Sequence, residues 1–152
     1  MAWRGAVLFR LARPAILSSL AVLSCSNELC GCSPVPYSPI AGVWAATQFL
    51  VTPTGQPQID ALTAGGSMTI TVFSDNSTGG SLSLPATVTG GAALIASMAG
   101  TATFQSNTEI TFDQAADTFV RDLTWQLVGT TGLMVSNQVA GSASFSITLT
   151  RQ

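Results

Sequence analysis

Residues 142–151 read S-A-S-F-S-I-T-L-T-R, and this stretch decides the fold that the sequence predicts. Apolar side chains at Ala143, Phe145, Ile147 and Leu149 alternate with serines and threonines. Successive side chains of a β-strand point to opposite faces, so this period of two predicts a strand. One of its faces is expected to be buried and the other, which carries hydroxyl groups, to be solvated.

The same alternation recurs upstream, from Ile40 onward, and is interrupted by Gly, Asn and Asp. It predicts eight strands, over residues 43–52, 67–74, 81–88, 100–105, 109–113, 118–128, 133–138 and 142–151. Residues 75–80 are predicted to form a hairpin loop, and Pro85 to mark an edge or a kink. Residues 56–66 suit a loop or a helical turn, whereas residues 91–100 suit a short helix or an extra strand.

Eight short strands at close spacing predict a single antiparallel barrel or sandwich. Only 8% of the residues are charged, and charges are one of the means by which proteins protect exposed strand edges. A closed barrel removes those edges. We therefore expect an all-β, up-and-down, eight-stranded antiparallel barrel over residues 40–152.

The first 24 residues are predicted to be a signal peptide. Residues 1–14 hold three arginines and no acidic residue, and residues 15–24 (AILSSLAVLS) are mostly apolar. This apolar segment is too short to span a bilayer and suits the hydrophobic region of an export signal.

Residues 25–39 are predicted to be a flexible tether. Residues 33–39 (SPVPYSP) contain three prolines, which favour an extended, semi-rigid chain. Cys30 and Cys32 lie two residues apart, so a disulfide between them would be strained. A metal site is equally disfavoured, because the sequence has no histidine and too few cysteines to complete four ligands. Two free thiols are the simplest interpretation.

The leader ends in Val22-Leu23-Ser24-Cys25, which resembles the lipobox of bacterial lipoproteins. The resemblance implies that Cys25 is acylated and becomes the new N-terminus. The chain would then be anchored by lipid to a membrane of the bacterial envelope, the outer membrane being favoured, with its domain outside the cytoplasm. A signal peptide of the ordinary type remains the alternative. A competing match ends at Cys32 and is weaker because Glu28 lies within its apolar region.

The ends of the predicted barrel resemble the calycin pattern, and in particular small bacterial lipocalin-like domain lipoproteins. Gly42-Val43-Trp44 opens the first strand, and the chain closes on Leu149-Thr150-Arg151-Gln152. Residues 60–70 (DALTAGGSMTI) are similar to a segment of the same group. The resemblance implies that Arg151 packs across the indole of Trp44 beside Gly42 and closes the barrel. The alternation agrees, because Arg151 shares the apolar side of its strand. The alternative is that Arg151 frays into solvent.

Known catalytic motifs are missing from the sequence. It has no histidine, no nucleophile elbow, no phosphate loop and no dinucleotide fingerprint. We therefore expect no catalytic residue, no cofactor and no metal. Beyond the leader, Arg121 and Arg151 stand against seven acidic residues, a net charge that disfavours nucleic acid as a partner. Arg121 itself is predicted to lie inside the barrel or, preferably, beyond its end.

Two functions fit these observations. The first is a non-enzymatic binding module that holds a small apolar ligand inside the barrel. The cavity would be lined by Phe104, Phe112, Trp125, Phe145 and Ile147. The second is a structural or inhibitor-like interaction protein, whose barrel is filled by side chains and acts through its surface. A large enclosed cavity would favour the first function and a filled core the second.

Overall fold

The computed structural model describes residues 38–152, which form one antiparallel sheet of ten strands. The strands are β1 Gly42–Pro53, β2 Ile59–Asp60, β3 Ser67–Val72, β4 Ser77–Leu84, β5 Leu94–Ser97, β6 Gly100–Phe104, β7 Glu109–Gln114, β8 Thr124–Val128, β9 Gly132–Ala140 and β10 Ala143–Arg151. A short helix α1, Ala86–Thr89, follows β4, and a 3-10 helix, Phe119–Asp122, precedes β8. Cys25, the leader and nearly all of the predicted tether lie outside the described residues.

Eight strands make the barrel wall, in the order β1-β3-β4-β6-β7-β8-β9-β10. The wall closes where β10 pairs with β1, from Trp44 opposite Arg151 to Pro53 opposite Ala143. The two remaining strands add to this wall, β2 beside β1 and β5 beside β4. The all-β, up-and-down, eight-stranded barrel that the sequence predicts is therefore confirmed.

The interior is filled by the apolar side chains that alternate along each strand. Met68, Ile70 and Val72 of β3 are buried while the residues between them are only partly covered. Together these inward faces form one continuous core, and its largest fully buried side chains are Trp44, Trp125, Phe49 and Phe112. The period of two thus decides which face of each strand is removed from water.

Two predicted strands differ from the observed elements. The strand predicted over residues 81–88 ends at Leu84, because Pro85 has no N–H for the ladder and starts the turn of α1. The strand predicted over residues 118–128 begins instead as the 3-10 helix Phe119–Asp122. There Val120 is fully buried and Phe119 stacks on another ring, so packing across the barrel end overrides the alternation.

Three loop predictions are also resolved. The hairpin loop predicted over residues 75–80 is shorter, since β4 already begins at Ser77. Gly80 is instead a strand residue, where a Cβ would clash with the carbonyl oxygen of Thr69 on β3. Residues 91–100 contain the extra strand β5 rather than a helix, and residues 56–66 hold the two-residue strand β2 followed by turns.

Residues 38 and 39, the end of the predicted tether, already contact the barrel. Ser38 is buried, and its carbonyl oxygen accepts a hydrogen bond from Ala41 N–H at 3.0 Å in a tight turn. In the part of the chain that the structure describes, no helix has the length and apolar content needed to cross a membrane.

Candidate functional site

One end of the barrel is closed by an indole and a guanidinium; we call this region, Ile40, Gly42, Trp44 and Arg151, the closed end. Trp44 and Arg151 lie opposite each other on β1 and β10. The guanidinium carbon of Arg151 lies 4.8 Å from the centroid of the Trp44 ring, and the indole is completely buried. This distance is typical of a cation–π contact.

Backbone carbonyls complete the closed end. Trp44 Nε1 donates a hydrogen bond to the carbonyl oxygen of Ile40 at 2.8 Å, and Arg151 Nη2 donates one to that of Pro39 at 2.9 Å. Gly42 adopts φ +146°, which favours glycine, and the Arg151 side chain passes over its Cα. These contacts fasten the turn before β1 across the barrel end, which is a structural role.

The opposite end holds an apolar cavity of about 290 Å³; we call the region around it the open end. Its main apolar lining comes from β1, β4, α1, β5, the 3-10 helix and β10, through Val51, Leu84, Val88, Leu94, Phe119 and Phe145. None of the described residues that line this cavity carries a charge. The arrangement can bury an apolar group.

Aromatic stacking shapes this cavity. The rings of Phe119 and Phe145 are parallel within 4° and their centroids are 4.1 Å apart. Phe49, which is completely buried below them, lies 6.1 Å from Phe119. Phe119 is therefore the boundary between the packed core and the cavity, and it belongs to the 3-10 helix that crosses the barrel end.

A second, more polar cavity of about 280 Å³ adjoins the first. Pro53, Val88, Thr89 and Ser142 line both, so the two cavities adjoin at these residues. Thr54, Gln56 and Thr87 contribute hydroxyl and amide groups to the outer compartment. A ligand with an apolar body and an uncharged polar group could occupy both.

The five residues predicted to line a cavity are separated by the structure. Phe145 lines the cavity at the open end. Phe112, Trp125 and Ile147 are buried in the packed core, where Phe112 meets Trp125 edge to face at 5.7 Å. Phe104 is half-buried against the same core. Inward parity identified aromatic side chains that fill the barrel, and it did not show where space remains.

Sequence reasoning missed Val88 and Leu84 as lining residues. Both lay in a predicted strand, but Pro85 ends that strand and turns the chain inward over the barrel end. Phe119 was predicted to lie in the strand over residues 118–128, whereas it belongs to the 3-10 helix. The proline was the available signal, since it made a change of direction after Leu84 predictable.

A polar hollow of about 430 Å³ lies on the outer surface beside β7, lined by Thr111, Phe112, Asp113, Asp117, Arg121 and Asp122. Arg121 lies 3.5 Å from Asp113 and 3.7 Å from Asp117; both aspartate side chains are largely exposed and that of Arg121 is 41% exposed. Arg121 is therefore outside the barrel, the preferred of its two predicted positions. Exposed ion pairs of this kind contribute little. Within residues 38–152, no cluster of side chains suits a metal ion.

Two turns contain aspartates whose pKa is lowered. Thr63 donates its hydroxyl and its N–H to Asp60, and these bonds lower the pKa of that carboxyl group. Ser77 does the same for Asp75, first through its hydroxyl group at 2.6 Å. Both carboxylates are exposed and stabilise turns, Asp60 after β1 and Asp75 between β3 and β4.

Comparisons of the chain with protein-family models, with curated proteins and with solved structures find no match.

Proposed function

We propose that this chain is an exported, lipid-anchored, non-enzymatic binding protein of the lipocalin-like type, which holds a small apolar ligand at the open end of its barrel. The observation that carries the proposal is the uncharged apolar cavity of about 290 Å³ between Val88, Phe119 and Phe145. Burial of apolar ligand surface there is favoured by roughly 25 cal/mol per Å².

The size of the site restricts the ligand. Ligand pockets typically span about 300–1,000 Å³, so the apolar compartment alone suits only a small molecule. The adjoining polar compartment extends the site past Val88 toward Thr54 and Gln56. The centre of the barrel is occupied by side chains such as Trp125, and the ligand therefore sits above the core rather than within it.

The filled core also favours a second candidate function. Trp44, Phe49, Phe112 and Trp125 leave less than 2% of their surface exposed, as expected for a barrel that acts through its outside. In that case the chain would be a structural or inhibitor-like envelope protein. Ligand binding at the open end separates the two candidates.

The ligand is tested by titrating the purified protein with the uncharged apolar fluorophore N-phenyl-1-naphthylamine. We expect saturable fluorescence that Ala143→Trp abolishes, because Ala143 is a small residue in the cavity wall. Thr130→Trp, at an exposed turn outside the cavity lining, is the control and should leave binding unchanged. Equal binding by both variants would remove the open end as the site. If the open end does bind the fluorophore, native mass spectrometry of protein purified from its own membranes would identify the natural ligand.

The lipid anchor is tested separately. The run that ends in Val-Leu-Ser-Cys predicts that Cys25→Ala moves the protein from the membrane fraction to the soluble fraction. Cys32 is the last residue of the competing motif, so Cys32→Ala serves as the matched control. This variant should stay in the membrane fraction. A Cys25→Ala protein that remains lipid-modified and membrane-bound would disprove the assignment.

A further inference from the structure

The polar compartment at the open end, the cavity of about 280 Å³, offers hydrogen bonds but no charge. Its polar side chains are exposed hydroxyl and amide groups, those of Thr54, Gln56, Thr87, Thr89 and Ser142. None of the described residues that line it is an acid or a base. A ligand that enters this compartment is therefore recognised through neutral donors and acceptors.

Some of these groups are already used by the barrel end itself. Thr54 Oγ1 donates a hydrogen bond to the carbonyl oxygen of Ser142 at 2.8 Å, and Thr89 Oγ1 donates one to a carbonyl oxygen three residues further on at 2.7 Å. Within the described chain, no protein group bonds the side-chain amide of Gln56 or the hydroxyl group of Thr87, and both residues are exposed. Each of these two side chains can donate and accept, so they are the groups left to bond a ligand.

An anionic head group would find no cation at this end of the barrel. The sequence has no lysine and no histidine, and the two arginines of residues 38–152 lie elsewhere. Arg121 pairs with Asp113 and Asp117 on the outer surface beside β7, and Arg151 lies over Trp44 at the closed end. A carboxylate or phosphate that leaves water without such a partner is strongly disfavoured.

A cationic head group would lack a counter-charge as well. The acid that lies nearest along the chain is Asp60, which follows the lining residue Ile59. Its carboxylate accepts hydrogen bonds from Thr63 Oγ1 at 2.7 Å and from Leu62 N–H at 3.0 Å, so it is engaged in its own turn. The compartment thus selects against both signs of charge.

The apolar compartment suits the other part of the ligand. The stacked rings of Phe119 and Phe145 offer it an apolar surface, and Val88 lines both compartments. A chain that passes Val88 therefore leads from the rings to Gln56 and Thr87. A wholly apolar ligand of that length would take water from these two polar groups without replacing its hydrogen bonds, which is unfavourable.

We propose that the ligand of the open end is an uncharged single-chain amphiphile with a hydroxyl or amide head group, such as a monoacylglycerol, and that fatty acids are excluded. The apolar chain packs against Phe119 and Phe145, and the head group bonds Gln56 and Thr87. This inference rests on the proposed function, because it names the ligand class of the same site. Since recognition involves no charge, the affinity is independent of salt concentration.

The test is displacement of N-phenyl-1-naphthylamine by three amphiphiles of one chain length and different charge, each below its micelle concentration at neutral pH. They are monodecanoylglycerol, decanoate and decyltrimethylammonium. We expect monodecanoylglycerol to displace the fluorophore at a concentration at least about tenfold lower than either ion, because the ions must enter without a counter-charge. Its affinity should be the same at low and at high salt concentration.

Three variants place the head group. Gln56→Leu should weaken displacement by monodecanoylglycerol about threefold or more, through the loss of one hydrogen bond. Gln58→Leu is the matched control, since Gln58 is exposed in the same loop and lines neither compartment. Thr87→Lys supplies the missing cation and should raise the affinity for decanoate about tenfold, a gain that misfolding cannot produce.

Failure of this inference and failure of the proposed function give different results. If the fluorophore does not bind at the open end, the binding function fails and the ligand class with it. If the fluorophore binds and either ion displaces it as well as monodecanoylglycerol does, the ligand class alone is wrong. Equal effects of Gln56→Leu and Gln58→Leu would overturn the placement of the head group in the polar compartment.

Discussion

The two ends of the barrel are built from the same pair of strands and differ in what crosses them. At the closed end, β1 and β10 bring Trp44 and Arg151 together, and the turn before β1 covers the indole. At the open end the same strands contribute Val51 and Phe145 to a cavity that the 3-10 helix and α1 cover only in part.

The closed end therefore contributes mainly to the stability of the barrel, whereas the open end leaves space that a ligand can enter. The closed end combines complete burial of a large aromatic ring with hydrogen bonds to two backbone carbonyls. The open end has stacked rings but keeps about 290 Å³ unfilled. Substitutions at the closed end should therefore act on folding, and substitutions at the open end on binding, with a smaller effect on folding.

Trp44→Ala is expected to have the largest effect, a loss of roughly 3–5 kcal/mol in the free energy of unfolding. The reason is the cavity left by a completely buried indole, and urea denaturation measures it. Trp44→Phe and Trp125→Phe form a matched pair, because both rings are buried but only Trp44 Nε1 has a hydrogen-bond partner in the described residues. Trp44→Phe should cost more, and equal losses would show that the indole hydrogen bond contributes nothing.

Phe119→Ala at the open end is expected to cost about 2 kcal/mol, since the ring is only half-buried although it stacks on Phe145. The same change enlarges the cavity, so the variant should accept a bulkier apolar probe than the wild type does. Urea denaturation and probe titration measure the two effects. A loss as large as that of Trp44→Ala would mean that the two ends do not differ in their contribution to folding.

Arg151→Ala is expected to cost less, about 1 kcal/mol, from lost stacking and packing of its apolar stem. The loss should not add to that of Trp44→Ala, because the two side chains share one contact. A double-mutant cycle by urea unfolding measures the coupling. Strict additivity would show that the observed contact between guanidinium and indole contributes no stability.

The smallest effects are expected at the two Asx turns, Asp75 near the closed end and Asp60 near the open end. The hydroxyl groups of Ser77 and Thr63 lower the pKa of these carboxyl groups below the ordinary value of 3.8. A lowered folded-state pKa adds stability above the unfolded value, and this stability is lost as the pH falls through the folded value. In Asp60→Asn and Asp75→Asn, the free energy of unfolding measured in urea should therefore fall less steeply below about pH 4 than in the wild type. If both variants lose stability below about pH 4 as steeply as the wild type does, the two carboxyl groups do not have a lowered pKa in the folded state.

The sequence by itself determined the strands whose residues alternate regularly between apolar and polar. Alternation alone predicted β1, β3, β6, β7, β9 and β10 to within two residues at each end, and parity predicted that Phe112 points inward. Parity also put Arg151 on the apolar side of its strand, and the structure places it over Trp44. These results follow from backbone geometry, which acts between adjacent residues and is visible in one segment at a time.

Only the tertiary structure decided where the barrel is full and where it is open. Phe112 and Trp125 fill the core while Phe145 borders a cavity, although all three show the same inward parity. Phe119 lies in a 3-10 helix because its ring reaches Phe145 across the barrel end. Space inside a barrel depends on the summed volumes of side chains from distant strands and on the segments that cross its ends. No single stretch of sequence contains that sum, so the open end emerged only once the strands were assembled.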